Sequence, residues 1–327
     1  MKKNVLFHLP SGSTTVNHTA TQQPTENQLT PSAALSAMAL CILFGANPVA
    51  AKISLAGIGP LTNGALRFSV AATVLASWAI FTGRRLVISR TQMMQMLFLG
   101  LFFFLQVGIF YFGQNKTTAS HGVLISNIMP FLVMIMAHFL LPNDRINSRK
   151  VIGLLLGFSG IVLLFRDSLS LTHDAVTGDM LLVVSVVVWS CNAIFVKRII
   201  AGFTPLQITL YPMLMSLPFF YTAAAIFDQQ MVFSLSPSVL FGMFYQSVVT
   251  ASFGFVMWNR LMQKYGATSL HAFVFVMPVS GVLLGVAILG ETMTPSLFGS
   301  IALVAMGLVV INWRRRKSSE IPFNPIR

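Results

Sequence analysis

Ten apolar stretches, each close to the length needed to cross a bilayer, limit this chain more than any other feature. They run over roughly 33–56, 62–82, 93–113, 117–141, 149–166, 179–200, 204–227, 236–261, 266–290 and 295–313. A spanning helix needs about 20 mostly apolar residues. Backbone groups in lipid must be satisfied within the segment, so uninterrupted apolar runs read as helices. A membrane barrel strand would alternate apolar and polar residues. The run FLGLFFFLQVGIF over 98–110 shows no alternation. Only 9% of residues are charged and 55% are apolar, against about 25% charged in a soluble domain. The expected fold is an all-α membrane protein of ten transmembrane helices.

The formal net charge of +13 raises nucleic acid as a partner. No basic stripe is interleaved with aromatic residues, which argues against it. The charge instead sorts by side. If the N-terminus is cytoplasmic, seventeen Lys and Arg fall on the cytoplasmic side and four on the other: Lys52, Arg67, Lys116 and Arg166. That asymmetry predicts a multi-pass protein of the cell membrane with both termini cytoplasmic. Residues 1–32 read as a disordered polar tail and 314–327 as a basic cytoplasmic tail. The N-terminus does not read as a secretory signal, because the apolar run Val5–Phe7 is short and is stopped by His8.

The chain also repeats itself. FGANPVAAKISLAGIGP, Phe44 to Pro60, returns 145 residues later as WSCNAIFVKRIIAGFTP, Trp189 to Pro205. Asn47 matches Asn192, Lys52 matches Lys197 and Pro60 matches Pro205. In a second block Lys116 matches Lys264, Met129 matches Met277 and Pro130 matches Pro278. Two copies of one unit follow, over 33–166 and 179–313. Five helices per copy is an odd number, so the second copy enters the membrane inverted. Inverted repeats are a recurring transporter design with the substrate site near the midplane. Exchanging the conformations of two such copies turns an inward-open state into an outward-open one.

The ordered motifs resemble the ten-helix EamA-type branch of the drug/metabolite transporter superfamily. They are FGANPVAAK, GIGP, Leu66–Phe68 and Ser120–Pro130 in the first half. In the second half they are WSCNAIFVK, Met257–Ser269, Phe275–Pro278 and Leu289–Glu291. The resemblance implies a secondary transporter, usually an exporter of amino acids, other metabolites or toxic compounds. Asn143 stands where the first repeat often carries an acid matching Glu291, which puts a symmetric acidic pair in doubt.

Candidate residues follow from polarity at depth. Asn47 and Asn192 read as mid-helix amides that bond helices together or contact substrate. Lys52 and Lys197 read as snorkelling side chains. Phe44 and Trp189, like Phe110 and Trp258, are aromatic residues at equivalent places, read more often as packing than as cavity lining. Gln106, Tyr111, Gln114, Gln246 and Asn259 place polar groups on or beside helices 3 and 8. His121 and His271 do so on helices 4 and 9, and such a histidine can carry a coupling proton. Pro130 and Pro278 read as mid-helix kinks. Arg67 and Glu291, near the ends of helices 2 and 9 on the non-cytoplasmic side, are expected to pair and bias access. Cys41 and Cys191 lie in apolar runs without CxxC spacing, so neither a metal nor a cofactor is implied. No HExxH, GxSxG, Walker or GxGxxG motif supports an enzyme. A membrane-embedded enzyme or sensor is the alternative to a carrier. The expected partners are a small-molecule substrate and the lipid bilayer, with a coupling proton and a homodimer left open.

Overall fold

The structure, a computed structural model, describes residues 30–84, 86–140, 148–171, 173–199, 202–265 and 273–312. These residues are nearly all helical. Their only β pairing is an isolated bridge between Ile58 and Val232. In chain order the helices are α1 (Pro31–Gly45), α2 (Asn47–Leu55), α3 (Pro60–Phe81), α4 (Arg90–Lys116), α5 (Ala119–Ser126), α6 (Met129–Leu140) and α7 (Ser148–Leu171). They continue as α8 (His173–Ile199), α9 (Pro205–Phe227), α10 (Pro237–Phe244), a π-helix (Tyr245–Gly254), α11 (Phe255–Tyr265), α12 (Val276–Leu289) and α13 (Pro295–Asn312).

Among the described residues, seven helical stretches are long and apolar enough to cross a membrane: Pro31–Leu55, Pro60–Phe81, Arg90–Lys116, Ala119–Leu140, His173–Val196, Pro205–Phe227 and Pro237–Trp258. Val151–Leu164, Val276–Leu289 and Pro295–Val310 are shorter apolar helices. This is a multi-pass membrane architecture.

Helix starts obey local chemistry. Thr30, Ser89, Thr118, Thr204 and Ser236 each accept a backbone N–H with the side-chain oxygen, filling one orphan donor of the first turn. Ser89 with Gln92, and Thr204 with Gln207, form reciprocal capping boxes. Pro31, Pro60, Pro205 and Pro237 open helices where no intrahelical N–H bond is lost. Gly290 ends α12 at φ 67°, a left-handed conformation that a side chain would strain.

Several apolar stretches are not the single α-helices expected from sequence. The first breaks at Ala46, between α1 and α2. Pro48 lacks an N–H and its ring crowds the carbonyl four residues earlier. Asn47, expected in mid-helix, therefore opens α2. The fourth stretch divides between Ser126 and Met129, so Pro130 is the second residue of α6 rather than a kink within a longer helix. Pro278 likewise sits close to the start of α12. The eighth stretch passes from α10 through ten residues of π-helix into α11. A π segment over-supplies one residue per turn and often marks a functional site.

Two apolar clusters carry the packing. Val123, Ile125, Phe131, Leu164, Leu182, Val282 and Leu308 join α5, α6, α7, α8, α12 and α13. Phe68, Leu75, Leu210, Met213, Phe220 and Ala251 join α3, α9 and the π-helix. Where α1 crosses α12, a Cβ on Gly281 would stand 2.5 Å from the Gly45 carbonyl oxygen. Only glycine allows that approach, as expected for close helix packing.

Candidate substrate cavity

A cavity of about 430 Å³ lies where the helix breaks meet. Asn47 and Pro48 of α2, Asn127, Met129 and Pro130 at the α5–α6 break, Thr250 of the π-helix and Met277 of α12 all line it. Broken backbone is tolerated at membrane depth only where it is buried in protein or lines a cavity. Val123 and Phe68 on its wall belong to the two apolar clusters, so both clusters support it.

Seven aromatic side chains stand on the wall. Phe44, Phe68, Phe103, Phe110, Trp189, Phe255 and Trp258 all contribute. Phe44 sits 5.7 Å from Phe255 and 5.9 Å from Trp258 between ring centroids. The repeat-related residues Phe44 and Trp189, and Phe110 and Trp258, thus all reach one space. They therefore line a cavity, and Phe44 also packs against Trp258.

Polar groups on and behind the wall fall into three sets. Asn47 Oδ1 accepts from Thr250 Oγ1 at 2.9 Å. Gln106, on α4, accepts from Asn192 Nδ2 through Oε1 at 3.2 Å, and its backbone carbonyl accepts from Ser185 Oγ at 2.6 Å. The Oδ1 of Asn192 is buried with no hydrogen-bond partner. Asn192 does not itself line the cavity; it stands one hydrogen bond behind Gln106.

The third set is a buried chain. Arg67 Nη1 donates to the Tyr111 hydroxyl at 3.2 Å, and Tyr111 donates to Gln246 Oε1 at 2.5 Å. Gln246 Nε2 then donates to Ser54 Oγ at 2.7 Å and to Asn63 Oδ1 at 2.8 Å. Asn63 Nδ2 donates to Ser54 Oγ at 2.6 Å, and Ser54 Oγ donates to the Ala51 carbonyl at 2.9 Å. Every hydrogen in this chain has one direction, so α2, α3, α4 and the π-helix are held in one register. Tyr111 lies behind Arg67 and outside the cavity lining. Arg67 is on it.

A second polar assembly occupies the corner between α4 and α5. Lys52 Nζ donates to the carbonyls of Gln114, Asn115 and Thr117 at 3.0, 3.0 and 2.6 Å. Lys52 was expected to snorkel; instead it caps the negative end of α4. The Glu291 carboxylate accepts from Ala119 N at 2.5 Å, from Ser120 N at 2.9 Å and from Ser120 Oγ, at the positive end of α5. Asp179 of α8 accepts from Thr117 Oγ1 at 2.7 Å and faces His121 Nδ1 at 2.8 Å. His121 and Asp179 are both fully buried.

The expected pairing of Arg67 with Glu291 does not occur. Arg67 lies two turns into α3 and faces the aromatic cavity. Glu291 is already held by the free N–H groups of α5, which need an acceptor of that kind. His271 and Asn143 fall outside the described residues. Asp179 is absent from the sequence candidates, since it stands at the very start of the apolar run 179–200. Its signal is scarcity, since the chain has eight acidic residues.

The EamA-like transporter family matches this chain twice, over residues 31–166 and 176–313. The chain is 25% identical to the probable amino-acid metabolite efflux pump of Escherichia coli over 299 residues, covering 85% of this chain and 95% of that one. It is 27% identical to the uncharacterized transporter YetK of Bacillus subtilis over 302 residues, covering 88% and 89%. A protein of known crystal structure superposes with a TM-score of 0.64 at 19% identity, covering 86% of this chain and 97% of the other; that likeness speaks for the fold. With the family matched across both halves, and helical breaks and aromatic side chains gathered at one cavity, the protein belongs to the EamA-like transporter family and is a membrane transporter.

Proposed function

We propose that this chain is a secondary active transporter that moves a small metabolite, amino acid-like or another small organic compound, out of the cell by alternating access. In this reading ten helices form two inverted five-helix repeats, 33–166 and 179–313, with both termini in the cytoplasm. The observation that carries it is the cavity wall. Asn47, Phe44, Arg67, Gln106 and Phe110 come from the first repeat, and Trp189, Thr250 and Trp258 from the second. A site built from both copies is what exchange between two conformations requires.

The half-helices give the motion its hinges. The breaks at Ala46 and between Ser126 and Met129 let α1 and α6 move without unfolding α2 and α5. The α4–α5 corner closes one end, because Lys52 and Thr117 of the first repeat and Asp179 and Glu291 of the second meet there. His121 with Asp179 is the buried titratable pair on which proton coupling would rest. Asn47 and Asn192 are substrate-side amides, one on the wall and one supporting Gln106.

The test is efflux from proteoliposomes loaded with labelled amino acids. Wild type should release at least one of them faster than protein-free vesicles, and the Asn47→Ala, Asn192→Ala double variant should lose most of that release. Full transport by the double variant would remove these amides from the site.

A further inference from the structure

Arg67 is the only charged side chain among the described residues on the cavity wall. It is 8% exposed. One of its nitrogens, Nη1, is used on Tyr111. Its Nε is buried with no hydrogen-bond partner, and no acidic side chain lines the cavity. A guanidinium cannot discard its charge. An unpaired cation at membrane depth is costly and marks a functional site.

Tyr111 cannot take over the task of the missing anion. Its own hydroxyl proton is committed to Gln246, so it offers Arg67 a lone pair and no negative charge. The engaged Nη1 leaves the edge bearing Nε, the edge that grips a carboxylate together with Nη2. The Phe68 ring, 5.1 Å from the guanidinium carbon, adds a cation–π contact and takes no hydrogen bond, so Nε keeps no protein partner. Two helix starts add to the field. α2 opens at Asn47 and α6 at Met129, and both residues line the same cavity. The positive ends of half-helices at a midplane site favour anionic groups.

From this we infer that Arg67 is the anchor for a carboxylate, and that the compound carried is a monoanion whose apolar, ring-sized body lies against Phe44, Phe103, Trp189 and Trp258. The inference rests on the carrier reading for its place in transport, and adds a substrate class to it. One fixed charge sets one carboxylate. The aromatic wall supplies apolar area and no second cation, so dicarboxylates and phosphate esters are disfavoured.

The test is equilibrium binding to the purified full-length protein in detergent, by calorimetry, with three probes of one shape: 3-phenylpropionate, 3-phenylpropanamide and 3-phenylpropylamine. The acid should bind about tenfold or more tightly than the amide, and the amine weakest of all. In Arg67→Gln the acid should lose that advantage while the amide binds as before, which also shows the cavity intact. Arg67→Lys should keep part of the preference. If Arg67→Gln does not fold, the wild-type series decides alone. Equal binding of acid and amide, absence of binding by the acid, or a preference that survives in Arg67→Gln would overturn the assignment. Since binding needs no gradient, acid-selective binding without any transport would sink the carrier reading and leave the anchor standing. Transport with no acid preference would do the reverse.

Discussion

The cavity and the α4–α5 corner are built from the same kinds of polar side chain and differ in how those groups are satisfied. At the corner Lys52 has three carbonyls, Glu291 two backbone N–H groups and a hydroxyl, and Asp179 a hydroxyl and an imidazole. In the cavity the charged Arg67 has an Nε with nothing, and just behind the wall Asn192 Oδ1 also has nothing; the corner's own orphan is a neutral amide oxygen, Gln114 Oε1, while its three charged groups all have partners. A satisfied buried group holds structure; a buried group left without a partner is costly and asks for a ligand. On the proposed reading, that contrast makes the corner the part that serves stability and closure, and the cavity the part that binds.

Substitutions should divide along that line. The largest stability loss belongs to Asp179→Ala, which removes the acceptor shared by Thr117 and His121. Taking one partner from a buried charged contact costs about 3–5 kcal/mol, read as a lower melting temperature in detergent. A melting point equal to wild type would make the corner dispensable. Glu291→Ala comes next. It frees two helix-start N–H groups and should cost about 1–3 kcal/mol; Glu291→Gln, which keeps one acceptor oxygen, should recover part of it. Asn47→Ala and Asn192→Ala reverse the pattern. Each should cost only about 0.6 kcal/mol of stability, the size of an average interhelical hydrogen bond, while transport falls by about tenfold. A large stability loss with proportionate transport loss would reassign these amides to the corner's class. The smallest effect belongs to Lys116→Gln. Its partner Asp174 is solvent-exposed, 2.9 Å away, and exposed ion pairs contribute little, so thermal stability and transport should both match wild type.

The apolar runs made the membrane architecture legible, because length and hydropathy alone decide what can cross a bilayer. The internal repeat sets Phe44 with Trp189 and Phe110 with Trp258 at equivalent positions, yet position alone does not separate packing from the cavity lining that the structure shows. The breaks were half visible. Pro48 and Pro130 stand in the sequence, yet a proline can kink a helix or end it, and tertiary packing chooses. Arg67 was misread because depth along a helix can be counted whereas the direction of a side chain cannot. One residue of rotation, about a quarter turn, separates a surface ion pair from a cavity wall. Lys52 was misread for a similar reason, since a long side chain near a helix end reaches lipid interface and neighbouring carbonyls alike.

Alternating exposure of the cavity is the central claim, and side-specific labelling tests it most directly. Cys41 is buried and Cys191 exposed, so both are first replaced by Ser. A single Cys is then placed at Thr250, on the cavity wall, and probed with a membrane-impermeant thiol reagent in right-side-out and inside-out vesicles. The account predicts that Thr250→Cys is modified from both sides, and that labelling from one side blocks labelling from the other. Reaction from one side only, under every substrate and pH condition tried, would contradict it.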